Sequence, residues 1–179
     1  HVGEITARGP ITPMQYVNNP ELDARYRDED GWVYTGDLGF IDEDGYLILT
    51  GRKKEIIIRG GVNISPAQIE NIAASHPAVV SAVCVPVADQ DLGQQRICLC
   101  LVMRDGAERP SLAQFTRFLL DRGLEKNKLP EYLRYMRQLP LGPAGKVDKK
   151  RLAAELENAR FTPDPAVADK VASLMQGAY

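Results

Sequence analysis

The sequence predicts an α+β protein in which a short β-rich segment precedes a small compact α+β unit with a central three-stranded sheet flanked by helices. Three observations support this class. Short alternating strands separated by turn residues fill the chain as far as Gly51. Three longer apolar strand patterns follow, and two helix starts of the Ser-x-x-Gln type lie among them. The chain of 179 residues is 44% hydrophobic, so the compact unit can bury a core.

The β-rich segment reads as strands and turns. Val2–Ala7 alternates between apolar and polar residues, and Asn18-Asn19-Pro20 is expected to break the chain. Trp32–Ile41 and Tyr46–Thr50 flank an acidic turn, Asp42–Gly45, which is typical of a hairpin. Strands this short bury little surface among themselves, so we expect a larger body to cover them.

The compact unit is expected to run from Arg52 to Leu156. Two helices are predicted to start at capping boxes, and a third at an aspartate N-cap. Strands rich in branched residues alternate with them. The predicted elements are strand Glu55–Arg59, a helix from Ser65 to about His76, strands Val79–Val87 and Arg96–Arg104, a helix from Ser111 to Gly123, strand Tyr132–Leu139 and a helix after Asp148.

Composition excludes several kinds of protein. The net charge is −2, from 22 basic and 24 acidic residues, which gives no bulk attraction to nucleic acid or to anionic membranes. Three cysteines and two histidines form no zinc-binding pattern, so no metal site is predicted. Cys98 and Cys100 alternate in an apolar run, so both are expected on one strand face in the core. This cysteine usage, with no apolar run long enough to span a bilayer, predicts a cytoplasmic protein.

Gly31–Pro66 is the most informative stretch. It places Asp37 and Arg52 on either side of the hairpin, and a charge cluster and two glycines follow. A Gly145-Lys146 pair lies later, in a loop beside a helix start. Together these motifs resemble the last third of the adenylate-forming enzymes: the acyl- and aryl-CoA synthetases, the luciferases and the adenylation domains of peptide synthetases. The resemblance runs from about Gly3 to about Leu156.

The resemblance implies a domain organisation. Residues 1–52 would be the end of the large adenylation domain, residues 53–158 the mobile C-terminal domain, and residues 159–179 a tail. The chain begins at His1, directly before a strand pattern, so we expect a fragment of a longer enzyme. The phosphate loop, the adenine pocket and the acid pocket of the family would then lie upstream.

The resemblance also implies nucleotide-binding residues. Asp37 would accept hydrogen bonds from the ribose hydroxyls of ATP, because a carboxylate has four acceptor sites and no proton to donate. Arg52 would reach the ribose and phosphates through its planar guanidinium. Leu49 would lie beneath the nucleotide sugar. Without the family match, Asp37 would be read as a turn acid capping Gly39, Arg52 as a solvated surface charge, and Leu49 as core.

The resemblance also implies a hinge. Enzymes of this family first form an acyl-adenylate and then a thioester, and the small domain rotates between these two half-reactions about the residue that corresponds to Lys54. Read alone, the charged run from Arg52 to Glu55 would be a solvated surface. Gly60 and Gly61 correspond to the passage of the pantetheine arm. A plain hairpin turn also requires glycines there, and both interpretations stay open.

Lys146 is the predicted catalytic residue. In the family, the lysine of this Gly-Lys pair contacts the substrate carboxylate and the α-phosphate during adenylation. A compact ammonium there lowers the repulsion between two reacting anions. The loop is not a nucleotide P-loop, because Val147 stands where a magnesium-binding hydroxyl would be required. Asn63, Gln94 and Pro143-Ala144 depart from the usual residues of the family.

The predicted function is the C-terminal part of an ATP-dependent acid–thiol ligase, inactive as an isolated fragment. The parent would use ATP, Mg²⁺ (held mainly by the upstream domain), a carboxylic acid and CoA, with the upstream domain as its partner and without nucleic acid. One alternative is an enzyme that loads an aryl or amino acid onto a carrier protein. Another is a non-catalytic docking or regulatory module on the same scaffold. The residues specify neither the acid nor the oligomeric state.

Overall fold

The computed structural model describes residues 1–88 and 95–158. The chain divides into two compact units, one spanning His1–Ile56 and the other beginning at Ile57. Gln94 and the predicted tail, residues 159–179, lie outside the described residues. No helix within the described ranges is long and apolar enough to cross a bilayer.

The first unit is a three-stranded antiparallel sheet with one short helix. Its strands are β1 (Gly3–Ala7), β2 (Val33–Ile41) and β3 (Leu47–Arg52), in the order β1-β2-β3. The predicted hairpin is present, and Asp42 closes its turn by accepting the amide of Tyr46 at 2.8 Å.

The expected chain break is present as a turn at Val17 and Asn18, but the helix that follows it, α1 (Pro20–Tyr26), was not predicted. Asn19 caps it by accepting the amide of Leu22, and proline is tolerated at the first helical position because that amide has no helical partner.

The first unit has almost no core of its own. Gly39 is its only buried residue among positions 1–56. Large apolar side chains of the hairpin are instead exposed: Ile41, Tyr46, Leu47, Ile48 and Leu49. An apolar surface of this kind is normally covered by another body.

The second unit has mixed α and β elements, so the predicted α+β class is confirmed. The elements are β4 (Ile57–Arg59), β5 (Val62–Ile64), α2 (Pro66–Ala74), β6 (Val79–Ala88), β7 (Gln95–Met103), α3 (Leu112–Asp121), β8 (Tyr132–Met136) and α4 (Lys149–Asn158). A small antiparallel hairpin of β4 and β5 precedes the main sheet, whose order is β6-β7-β8. Strands β6 and β7 are antiparallel, whereas β7 and β8 are parallel.

Helices cover both faces of this sheet. The central residues of β7 are all apolar, so this strand presents an apolar surface to each face. Ile97, Leu99 and Leu101 pack with α2 and α3 on one face. Cys98 and Cys100 are fully buried on the other face, against Leu152 of α4. The prediction that both cysteines share a core-facing side is therefore confirmed. Alternation along one strand thus supplies both core layers.

Two helix starts differ from each other although their sequences match. Ser111 and Gln114 form a complete capping box at α3. At α2 the predicted box is absent, because the Ser65 side chain makes no cap hydrogen bond. The Gln68 side chain instead accepts a hydrogen bond from Lys128 Nζ at 3.1 Å, so a tertiary partner replaces the local one.

The short strand predicted at Glu55–Arg59 begins later than expected. A single 3-10 turn occupies Lys53–Glu55, and β4 starts at Ile57. Strand β5, which was not predicted, pairs with β4 across the two glycines.

Candidate functional site

Asp37 and Arg52 are directly opposite each other on β2 and β3. The Arg52 Nε atom lies 2.9 Å from Asp37 Oδ1. The sequence pattern placed them on two sides of a hairpin, and the strand register brings their side chains into an ion pair. Cross-strand neighbours of opposite charge stabilise such a pairing only weakly when exposed.

A bulge sets this register. The pairing shifts between Leu38 and Gly39, so Leu38 is opposite Gly51 while Gly39 is opposite Leu49. Only glycine fits at position 39, because a Cβ there would lie 2.5 Å from the Ile48 carbonyl oxygen. Close backbone approach at Gly39 therefore fixes the bulge that aligns Asp37 with Arg52.

The ion pair keeps unused hydrogen-bonding groups. The side chains of Arg52 and Asp37 are 60% and 29% exposed, so the pair is accessible to a ligand. Among residues 1–88 and 95–158, neither Asp37 Oδ2 nor the two terminal nitrogens of Arg52 has a partner. One carboxylate oxygen and two N–H donor groups are thus available at a single point, which is a suitable set for a sugar diol and a phosphate.

Leu49 does not lie in a core. Its side chain is 65% exposed on the same hairpin. The interpretation of this leucine as an ordinary core residue is therefore wrong for the first unit, and its predicted contact with a nucleotide sugar stays a prediction.

The basic residues after Arg52 each have a partner that the sequence did not reveal. Lys53 Nζ lies 2.6 Å from Glu4 Oε2 in β1. Lys54 Nζ donates to the hydroxyl of Tyr26, at the end of α1, over 2.6 Å. Donation by Lys54 lowers the pKa of the Tyr26 phenol, because the cation stabilises the phenolate. No spacing rule connects residues this distant in sequence, so only the fold identifies these pairs.

Gly60 and Gly61 form the turn between β4 and β5. Arg59 is opposite Val62, which leaves the two glycines as a two-residue loop. Both have positive φ, 55° and 78°, as a type I′ turn requires. The hairpin-turn interpretation is therefore correct. A Cβ on Gly61 would meet no atom within 4 Å, so the turn also leaves open space beside the backbone.

A buried ion pair anchors this turn. The side chains of Arg59 and Glu131 are 7% and 4% exposed, and Arg59 Nη1 lies 2.5 Å from Glu131 Oε1. Arg59 also donates to the carbonyls of Leu129 and Asn127. The other carboxylate oxygen of Glu131 accepts the amide of Ile97 at 2.9 Å.

The buried pair was missed in the sequence, although a signal exists. Arg59 is two positions after Ile57, so strand alternation places it on the buried face. A buried charge requires a partner of opposite sign.

Lys146 lies in a tight loop between β8 and α4. Gly142 donates to the Lys146 carbonyl over 2.8 Å, and Gly145 has φ of 72°, a value that favours glycine. The Lys146 side chain is exposed, and its ammonium has no partner among the described residues. Asp148 accepts the amide of Arg151 at 3.0 Å, which confirms the predicted N-cap and fixes the end of the loop.

Lys149, on the first turn of α4, forms an ion pair with α2. Its Nζ lies 3.1 Å from Glu70 Oε1 on α2. This ion pair attaches α4 to α2 in addition to the apolar contacts of α4. The Lys149 ammonium is thereby engaged, whereas, within the described part of the chain, that of Lys146 is not.

The structure brings Asp37 and Arg52 together within the first unit, and the predicted site residues divide between the two units. Asp37, Leu49, Arg52 and Lys54 belong to the first unit, and Gly60, Gly61 and Lys146 to the second. Asn63, one of the departures from the family pattern, pairs with Ile58 in the β4–β5 hairpin.

Residues 68–146 match the family described as the AMP-binding enzyme C-terminal domain. The chain is 40% identical over 162 residues to the medium-chain fatty-acid–CoA ligase of Escherichia coli K12, covering 90% of this chain and 28% of that protein. It is 38% identical to the 2,3-dihydroxybenzoate-AMP ligase of Bacillus subtilis, covering 84% and 27%.

Solved structures show the same fold. The amide bond synthetase McbA from Marinactinospora thermotolerans superposes with a TM-score of 0.78 at 35% identity, over 87% of this chain and 31% of that chain. ATP-bound MatB from Rhodopseudomonas palustris gives 0.78 at 32% identity, over 90% and 31%. The chain therefore spans less than a third of the length of these relatives.

Proposed function

This chain corresponds to the C-terminal portion of an adenylate-forming enzyme, and from that premise we propose that it completes an ATP-dependent acid–thiol ligase. In the first step of such a ligase, a carboxylate oxygen attacks the α-phosphorus of ATP and pyrophosphate leaves. In the second, a thiolate attacks the carbonyl carbon of the acyl-adenylate and AMP leaves. The thiol is that of CoA.

The available groups of the Asp37–Arg52 pair are the observation that best supports this function. Asp37 Oδ2 accepts the ribose hydroxyls, while Oδ1 stays bonded to Arg52 Nε. The two terminal nitrogens of Arg52 donate to the ribose or to a phosphate oxygen. Because the pair is preformed by strand register, little ordering is required when the nucleotide binds.

Leu49 supplies the apolar surface beside this pair. Leu49 lies in β3, three residues before Arg52, and its side chain is 65% exposed. In a complete enzyme that surface is covered by the nucleotide sugar and by the upstream domain, which is the partner we propose for the exposed hairpin.

Lys146 is the residue we propose for catalysis of the first step. Its ammonium stabilises the negative charge that accumulates as a carboxylate approaches a phosphate. A cation with no partner in the described structure is suited to this role, since no ion pair must break before it engages. The domain carrying it rotates about Lys54 between the two steps.

Gly60 and Gly61 line the approach of the thiol in this proposal. The absence of side chains beside Gly61 supports the passage of a slender pantetheine arm. A carrier-protein pantetheine is the second candidate acceptor, because the similar proteins include a 2,3-dihydroxybenzoate-AMP ligase as well as CoA ligases.

We assign Mg²⁺ to the upstream domain. Residues 1–88 and 95–158 contain no group of three His, Cys, Asp or Glu side chains positioned to hold a metal ion. In this proposal the residues of this chain act on the sugar and the α-phosphate. All three cysteines are free thiols in the core, which suits the reducing cytoplasm as the location.

Acid-dependent ATP–pyrophosphate exchange tests the proposal. The longer protein containing these residues should exchange with at least one acid of an aliphatic and aryl panel, whereas the 179 residues alone should not. Asp37→Asn should raise the KM for ATP about tenfold or more, since a hydrogen bond between a charged group and a ligand is lost. Asp44→Asn, in the exposed hairpin turn, is the matched control and should leave the KM unchanged.

Two results would contradict this function. Exchange by the 179 residues alone would show that the upstream residues are dispensable. A longer protein that exchanges with no acid, and whose properties are unchanged by Asp37→Asn, would favour the non-catalytic docking module.

A further inference from the structure

Three consecutive basic residues hold three different elements of the first unit. Arg52 pairs with Asp37 of β2, Lys53 pairs with Glu4 of β1, and Lys54 bonds to Tyr26 at the end of α1. These residues immediately precede the boundary between the two compact units, at Ile56 and Ile57. We call Arg52, Lys53 and Lys54 the basic triplet.

The contact of Lys54 differs chemically from the other two. Arg52 and Lys53 each meet a carboxylate, whereas Lys54 meets a neutral phenol. A neutral acceptor holds an ammonium less strongly than a carboxylate does. The bond at the third position of the triplet is therefore the easiest of the three to release.

The hydroxyl of Tyr26, and not its ring face, makes this contact. Lys54 Nζ lies 2.6 Å from the hydroxyl oxygen but 5.1 Å from the ring centroid. With those two distances the ammonium lies beyond the rim of the ring, near the direction of the C–O bond, where a cation gains nothing from the π face. Removing the hydroxyl alone should therefore abolish the contact.

The surroundings hold the phenol in place. The ring of Tyr16 lies 5.8 Å from that of Tyr26, and the Arg25 guanidinium is 5.6 Å from the Tyr26 ring. Lys54 and Arg25 are the charged groups that face the phenol, and both lower its pKa, Lys54 chiefly through its hydrogen bond.

We propose that Tyr26 is a positioning residue whose hydroxyl holds Lys54, and with it the backbone at the unit boundary, until the domain rotates. This inference rests on the proposed hinge role of Lys54. Rotation changes the backbone dihedrals of the hinge, which moves the lysine side chain off the phenol. The strength of one exposed hydrogen bond thereby sets how readily the hinge rearranges.

Tyr26→Phe and Lys54→Met test the contact in the protein that carries all 179 residues. The first readout is spectroscopic: with fluorotyrosine labelling, the Tyr26 resonance, identified by its loss in Tyr26→Phe, should titrate at lower pH than free fluorotyrosine. In Lys54→Met it should titrate at higher pH than in the parent protein. Tyr46→Phe, at an exposed tyrosine of the hairpin turn, is the control and should leave the titration of Tyr26 unchanged.

The second readout is tryptic cleavage after Arg52 and Lys53, measured against cleavage at Lys146 in the same digest. Tyr26→Phe should raise the cleavage rate at the basic triplet roughly two- to fivefold, the range expected for an exposed hydrogen bond that resists local opening. The Lys146 site should be cut at an unchanged rate, which separates local release from global unfolding.

The third readout is the ratio of the two half-reaction rates in the active ligase. Tyr26→Phe should change this ratio about threefold or more without altering the KM for ATP. If Tyr26 titrates as free fluorotyrosine does and Tyr26→Phe is cleaved at the rate of the parent protein, the inference is wrong even where adenylation is intact. If the contact is present but no ligase activity exists, the proposed function fails and the contact stands as structural only.

Discussion

Removal of Glu131 should destabilise the second unit more than any exposed charge change. In Glu131→Ala, Arg59 keeps the carbonyls of Leu129 and Asn127 but loses its counterion, and the Ile97 amide loses its acceptor. The side chain of Arg59 is only 7% exposed, so water cannot solvate the orphaned charge without distorting the core.

The magnitude follows from burial. Breaking a buried ion pair by removing one partner typically costs about 3–5 kcal/mol, because the remaining charge is uncompensated. An exposed helical pair is worth about 0.3–0.5 kcal/mol. Arg151 and Glu155 form such a pair at 2.8 Å, with side chains 63% and 47% exposed, so Glu155→Ala is the matched control.

Urea unfolding followed by far-UV circular dichroism measures the difference. Since Trp32 lies in the first unit, its fluorescence reports on the other part of the chain. With a slope of about 2 kcal/mol per M, Glu131→Ala should lower the midpoint by roughly 2 M. Glu155→Ala should shift it by roughly 0.2 M.

A milder variant covers the case in which Glu131→Ala does not fold. Glu131→Gln keeps side-chain acceptor and shape but removes the charge, and should fall between the two alanine variants. The double variant Arg59→Met/Glu131→Leu should recover much of the lost stability, because it leaves no unpaired charge. Equal midpoints for Glu131→Ala and Glu155→Ala would refute the reasoning.

Three further predictions concern other parts of the chain. Gly39→Ala should destabilise the β2–β3 pairing by about 1–3 kcal/mol, because the added Cβ would lie 2.5 Å from the Ile48 carbonyl oxygen. Urea unfolding followed by Trp32 fluorescence measures this loss, and an unchanged transition would contradict it. Gly61→Ala should cost about 1–2 kcal/mol from its φ of 78° alone, and should slow thioester formation more than adenylation in separate half-reaction assays. Burial raises the pKa of the Cys84 thiol well above 9.0, so folding favours the protonated thiol. That contribution to stability is complete below the ordinary pKa and is lost progressively as pH rises from there towards the raised pKa of the folded state. Stability measured by urea unfolding should therefore fall above about pH 9 and fall less steeply in Cys84→Ala, and equal slopes would contradict the assignment.

Much of the fold and the family followed from local patterns. Alternation of apolar residues predicted the strands of the second unit, and it also placed Cys98 and Cys100 together in the core. The family resemblance rested on Gly31–Pro66 and the Gly145-Lys146 pair, and the comparisons confirm it. The roles of the individual site residues stay predictions.

What the sequence did not reveal depends on contacts between distant segments. No helix was predicted after the break at Asn18-Asn19-Pro20, yet Asn19 caps one there. Ser65 and Gln68 were expected to form a capping box, yet the Gln68 side chain accepts a hydrogen bond from Lys128, sixty residues away in sequence. Tyr26 carries no motif and becomes a partner of Lys54 only because α1 lies against that strand end in the first unit. Such pairings are set by tertiary structure, which periodicity does not encode.

The most direct test of the proposed function measures adenylation and thioester formation separately in Lys146→Ala of the longer protein that contains these residues. Adenylation from ATP and the acid should fall about a hundredfold to a thousandfold, while thioester formation from a synthetic acyl-adenylate should stay within about threefold of the parent rate. Lys150→Ala, on the exposed first turn of α4, should leave both rates unchanged. Equal loss of both half-reactions in Lys146→Ala, or loss of neither, would contradict the claim that a cation on the C-terminal domain serves adenylation alone.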